Sequence, residues 1–286
     1  MFGHKVVEDL RGLNPPHGSE TYDKIQNELI SSIPMTNQFY LGDAYGLAKT
    51  LSIHKRDINI QEYFSENILF FKLPYSPLYL EHETSNRPNM EKGGVVEDLR
   101  WATLLKEYTD RPNEIFCFLA AYMKSAKQFI HYPVVTVFNT KTTDVKLLKC
   151  NFVSENDITT AAGMTILVIA SVIILNCKNI IYKKVHPDKA LNTKRIKNKK
   201  LPLFEYHSLK FQPLEEIIYG QNRQYGKKKL ASKRVHLCRG HFKTYTEEKP
   251  LMGKHTGLYW WEPHVRGDKK AGLVLKDYEI NCAENI

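Results

Sequence analysis

The chain has 286 residues, 42% of them hydrophobic, and a formal net charge of +10. That length and apolar share exclude an intrinsically disordered chain and allow one large domain or two ordinary ones. Residues 1–182 hold 18 Lys/Arg against 20 Asp/Glu, whereas residues 183–286 hold 23 against 11. The excess therefore lies in the last third, where a polyanion partner such as nucleic acid, a ribosome or an anionic membrane surface is expected. Five cysteines without a repeating spacing predict reduced thiols rather than a disulfide frame. The polar, mixed-charge start lacks a signal-peptide pattern, so a cytoplasmic location is expected, host cytoplasm if the chain is phage-encoded.

In chain order, Tyr22, Ile25, Leu29 and Ile33 recur at helical spacing and predict a short helix ending before Pro34. Gly42 to Leu51 reads as another. Ile68 to Leu80 has the aromatic and apolar bias of strands, broken by Pro74 and Pro77. Glu81, His82 and Glu83 then read as the start of a solvated loop, and Asn86 to Gly94 as an exposed loop. The periodicity of Ile115, Phe116, Leu119, Tyr122, Met123, Ala126 and Phe129 predicts a helix from Asn113 to His131. Val134 to Phe138 and Val145 to Phe152 read as a hairpin around the polar turn Thr140 to Asp144. Met164 to Leu175, 12 residues long, is the most apolar run in the chain. A membrane span needs about 20, so this stretch predicts a buried core helix within Thr159 to Tyr182, capped near Asp157, Thr159 or Thr160, and no membrane partner.

Lys183 to Lys200 holds eight Lys/Arg and one acid, and Lys227, Lys228 and Lys229 follow in a row. The segment 183–233 reads as a basic linker or arm. From Arg234 to Tyr278 the chain gathers His236, His241, His255 and His264, Arg234, Arg239 and Arg266, and Trp260 and Trp261. Arg234 to Tyr245, Tyr259 to Arg266 and Gly272 to Ile280 predict three antiparallel strands, with Gly240 inviting a bulge. The expected fold class is α+β: a mixed domain over 1–182 with a buried apolar helix, a basic linker over 183–233, and a small antiparallel β-module over 234–286.

Three chemistries compete for that module. Metal-independent RNA cleavage needs two proton-transfer groups and cations, which His241, His264, Glu262, Arg239 and Arg266 would supply if the paired strands present them together. RNA binding without cleavage needs cations for phosphates and rings for bases, which Lys194, Arg195, Lys197, Lys227, Lys228, Lys229, Arg234, His236, Lys243, Tyr245 and Trp260 would supply. A zinc site could draw on His236, Cys238, His241 and His264, but the spacing lacks a second paired motif, so no metal or other cofactor is expected. Tryptophans in the core and histidines satisfied by local hydrogen bonds are the bland alternative.

The string R-V-H-L-C-R-G-H-F-K-T-Y, a glycine-containing loop and L-Y-W-W-E-P-H-V-R-G resemble the C-terminal module of a family of phage and mobile-element proteins. The family includes anti-CRISPR members that block production of the type V CRISPR nuclease. His236, Arg239, Gly240, His241, Phe242, Tyr245, Trp261 and Pro263 carry the resemblance, which covers roughly the last 50 residues; residues 1–182 share only its layout. The resemblance implies a phage-type anti-defence protein, recognition of a host protein or nascent peptide by the N-terminal domain, and business with RNA or the ribosome at the basic end. A non-enzymatic inhibitor that sequesters a host defence protein is the rival expectation.

Overall fold

The computed structural model describes residues 3–12, 20–43, 59–84, 87–89, 94–96, 99–123, 127–149, 154–212, 214, 217, 234–238, 240–261, 264–266 and 268–273. The architecture is α+β, and the chain divides into two units, Met1–Gln212 and Pro213–Ile286.

The first unit is organised by a mixed eight-stranded sheet. Its strands are β1 (Asn37–Asp43), β2 (Leu78–Thr84), β5 (Leu99–Tyr108), β6 (Arg111–Met123), β7 (Gln128–Asn139), β8 (Val145–Lys149), β9 (Ile180–Val185) and β10 (Tyr206–Phe211). A separate ribbon, β3 (Arg87–Asn89) with β4 (Gly94–Val96), lies between β2 and β5 in sequence. The spatial order is β8-β7-β6-β5-β2-β1-β10-β9. Strand β1 runs parallel to β2 and β10, and every other pairing is antiparallel. The helices are α1 (Gly3–Arg11), α2 (Glu20–Ser32), α3 (Ile60–Asn67), α4 (Glu155–Leu175) and α5 (Lys189–Lys197).

Several expectations change. The stretch expected as a helix from Asn113 to His131 is β6 and the start of β7. Strand β6 is central, so its residues from Ile115 to Ala121 are buried on both faces. A strand buried on both sides reads as a continuous apolar run, and such a run also satisfies helical spacing. Ile68 to Phe70 is a 3-10 turn rather than a strand. Glu81, His82 and Glu83 sit inside β2, with Glu81 and His82 buried. The loop expected over Asn86 to Gly94 contains the β3–β4 ribbon. Most of the helix expected over Gly42 to Leu51 falls outside the described residues.

The linker expectation also changes. Residues 183–211 lie in β9, α5 and β10, which extend the sheet beyond β1. The boundary between the two units falls at Gln212 rather than Tyr182. The expected Val134–Phe138 and Val145 hairpin is present as β7 and β8, with Asn139 Oδ1 accepting from the backbone N–H of Lys141 and Thr142 in its turn.

Helices α1 and α2 cover one sheet face. Val6, Val7, Leu10, Ile25 and Leu29 pack on Tyr79, Leu104, Phe118 and Val135, each buried side chain contributing about 1.5–3 kcal/mol. Helix α4 lies on the opposite face. It begins at Glu155, two residues before the expected cap at Asp157, and ends at Leu175. It is long and apolar enough to cross a membrane, yet 72% of its span Ile158–Leu175 is buried within the protein.

Two buried polar pairs fix α4 to the sheet. Thr165 Oγ1 donates to Ala161 O, which leaves it to accept from Thr136 Oγ1 at 3.0 Å. Ser171 Oγ donates to Leu167 O and so accepts from His82 Nε2 at 2.9 Å. His82 is therefore the neutral Nε2–H tautomer, and burial pushes its pKa down to about 4.

The second unit holds β11 (Arg234–Cys238), β12 (His241–Tyr245), β13 (Gly257–Trp261), β14 (His264–Arg266) and β15 (Asp268–Leu273). The long strands expected over Arg234 to Tyr245 and Tyr259 to Arg266 are each split in two, the first next to the glycine at 240. Strand β12 pairs antiparallel with β13, and β11 pairs antiparallel with β14. Most of the third strand expected over Gly272 to Ile280 lies outside the described residues; β15, which overlaps its start, pairs parallel to β11, so this part of the module is mixed rather than purely antiparallel.

Candidate nucleic-acid interface

In an antiparallel ladder, directly opposed residues share a face and successive residues alternate faces. Strands β12 and β13 oppose His241 with Trp261, Phe242 with Trp260, Lys243 with Tyr259, Thr244 with Leu258 and Tyr245 with Gly257. Phe242, Thr244, Leu258 and Trp260 thus form one face. Trp260 is only 2% exposed and its ring lies 4.8 Å from that of Phe242. This is the apolar backing of the ribbon.

His241, Lys243, Tyr245, Tyr259 and Trp261 form the other face. The rings of His241 and Trp261 are nearly parallel, 9° apart in plane and 6.2 Å between centroids. Lys243 Nζ stands 4.9 Å from the Tyr245 ring centroid and 5.8 Å from that of Trp261. Tyr245 meets Tyr259 edge to face at 5.8 Å. His241 and Lys243 are exposed, whereas Tyr245 and Trp261 are half-buried. The buried Trp261 indole N–H has no acceptor among the described residues. Tyr259 is buried on this face; half-buried rings such as Trp261 and Tyr245 beside an exposed amine can stack on unpaired bases while the amine meets phosphate.

The expected binding residues therefore separate. Lys243 and Tyr245 lie on the ringed face. Trp260, expected to stack on bases, is core instead, and its neighbour Trp261 lies on the ringed face. Arg195 is also a correction. Its NH2 donates to Glu8 Oε1 at 2.9 Å and its Nε to Leu201 O at 2.7 Å, so it braces α5 to α1. Lys194 and Lys197 are exposed on α5 in the first unit. Arg234 and His236 have register positions in β11, opposite Asp268 and Arg266 respectively. Lys227, Lys228 and Lys229 lie outside the described residues.

The proposed cleavage set is not brought together by the register. His241 stands opposite Trp261, and His264 opposite Cys238, in separate ladders. Arg266 stands opposite His236, and Arg239 and Glu262 lie outside the described residues. Among the described residues, no three His, Cys, Asp or Glu side chains group as a metal site.

The sequence also gave no sign of a cleft of about 720 Å³ in the first unit, between α2 and the β6–β8 side of the sheet. Ile25, Phe116, Phe118 and Val135 form its apolar wall, with Lys24 and Arg111 among its polar lining. Only the pairing of distant strands creates it. Comparison with protein families, with characterised proteins and with solved structures finds no match to this chain.

Proposed function

We propose that this protein is a phage or mobile-element accessory protein that engages RNA, free or on the ribosome, through its C-terminal unit. The observation that carries this reading is the ringed face of β12 and β13, where the Lys243 amine stands against the Tyr245 and Trp261 rings and His241 lies parallel to Trp261. The basic excess of residues 183–286 supports it, since cations draw RNA in and stacking then holds its bases. The resemblance of the last 50 or so residues to phage modules supports it independently. The first unit would supply partner recognition, and its cleft offers room for a peptide side-chain cluster.

The reading is one of binding. Cleavage by a His241/His264 pair is left out because the two histidines are not opposed in the ladders. Stacking on one aromatic residue contributes about 1–3 kcal/mol per base. Trp261→Ala should therefore weaken binding of a labelled single-stranded RNA by about tenfold or more, with the unfolding midpoint little changed. Unaltered affinity in a folded variant would remove the proposal. Recovery of a host protein partner from nuclease-treated lysate, with no RNA binding by the pure protein, would instead favour the sequestering inhibitor.

A further inference from the structure

The segment from Lys183 to Lys200 is not a free arm but an ordered edge of the first unit, running through β9 and α5. Its charges are distributed in an uneven way. Lys184 and His186 share Glu205, at 2.6 and 2.7 Å, and Arg195 is spent on Glu8. Asp188, the one acid of the segment, accepts from Leu191 N as the α5 N-cap. That leaves Lys183, Lys189, Lys194, Lys197, Lys199 and Lys200 exposed, and among the described residues none of them has a carboxylate partner.

Their placement follows from the helix. Asn192 bonds Leu203 in both directions and Arg195 bonds Glu8 and Leu201, so these two side chains define the inner side of α5. At 100° per residue, Lys194 and Lys197 fall on the opposite, outer side, and Lys189 lies at its flank. No residue of α5 is buried, although Leu191 and Ile196 are large and apolar. The helix thus presents two amines outward and a third at the flank, and Lys199 and Lys200, also exposed, follow past its C-terminus. An acidic protein surface would offer the same charge as a nucleic acid, but the outer side offers no aromatic ring of the kind that anchors protein interfaces.

We propose that α5 and the adjoining end of β9 form a second nucleic-acid surface, which grips the phosphate backbone without reading bases. It shares the RNA reading above but uses a different unit and a different chemistry. The test measures the full chain binding an oligouridylate of about 20 nucleotides across a salt series, by fluorescence anisotropy. The triple variant Lys189→Gln, Lys194→Gln, Lys197→Gln should lower the slope of log K against log salt by about 2, at about 0.7 per lost contact to a single strand. Between roughly 50 and 200 mM salt the parent should therefore lose about 16-fold more affinity than the variant.

The matched triple arginine variant should keep the parental slope, which separates lost charge from a disturbed helix. A triple glutamine variant with the parental slope overturns the proposal, whether or not it loses an acidic protein partner. Trp261→Ala distinguishes the two readings, because it should lower affinity and leave the slope unchanged. If that variant binds normally while the lysine variant loses slope, the ringed face falls and the α5 surface stands.

Discussion

Aromatic rings are used in opposite ways in the two units. In the first, Phe64, Phe71 and Phe138 meet one another at 5.0–5.1 Å between centroids, and all three are buried. In the second, His241, Tyr245 and Trp261 lie on one side of a two-stranded ribbon with an amine among them. Ring distances are similar in the two places, so proximity of rings does not separate core from interface. What separates them is the company: hydrocarbon from α4 and the sheet in one case, an exposed lysine and imidazole in the other. The histidines show the same contrast. His82 is sealed against Ser171, whereas His241 is exposed beside Trp261.

The sharpest way to break this comparison uses the neighbours Trp260 and Trp261. Trp260→Ala empties the apolar backing of the ribbon and should cost about 3–5 kcal/mol of folding stability in the second unit. Denaturant unfolding followed by amide exchange of β12 and β13 would measure it. A stable Trp260→Ala protein with lost RNA binding would invert the two assignments.

The next effect in size comes from His82. In the folded unit it stays neutral down to about pH 4, because burial disfavours its cation. The unfolded chain takes the proton near pH 6.5, so it binds more protons between these values. Stability from this group is complete above about pH 6.5 and is lost as the pH falls toward 4, at about 1.4 kcal/mol per pH unit. His4, also lowered to about 4 by burial and then by the Arg195 guanidinium, adds to the slope in the same window. Urea midpoints measured across this range should show the decline, and His82→Leu should flatten it. A variant as acid-sensitive as the parent would place the effect elsewhere.

Why some of this was legible and some was not follows from where the information sits. The apolar run of α4 and the β7–β8 hairpin were readable because local composition and turn chemistry decide them. The course of β6 was not, since a strand buried on both sides has no alternation to betray it. His82 looked solvated between two glutamates, although Leu78, Leu80 and His82 alternate as a strand face does. The lysine-rich stretch looked like an arm because nothing local shows that His207 of β10 will stack on Phe39 of β1, at 5.0 Å. In the C-terminal unit the residue types of the candidate face were visible, but not which of two adjacent tryptophans faces outward. That choice depends on register, and register is a property of the paired strands.

The smallest expected effect concerns Arg195 and separates brace from grip within one helix. Arg195 ties α5 to α1 through Glu8, and the same Glu8 oxygen accepts the Leu201 N–H at 2.9 Å. Removing the guanidinium leaves the Leu201 carbonyl and half of the Glu8 carboxylate without their charged donor, a loss of about 1–2 kcal/mol at this partly buried position. Arg195→Ala should therefore lower the unfolding midpoint of the first unit and leave the salt slope of RNA binding unchanged. Arg195→Lys should recover little, because one ammonium cannot reproduce the planar fork that reaches both acceptors. The lysines on the outer side and flank of the same helix should behave in reverse, with slope lost and stability kept. If Arg195→Ala instead lowers the slope and spares the midpoint, the division of α5 into an inner brace and an outer phosphate grip is wrong, and the guanidinium itself touches the nucleic acid.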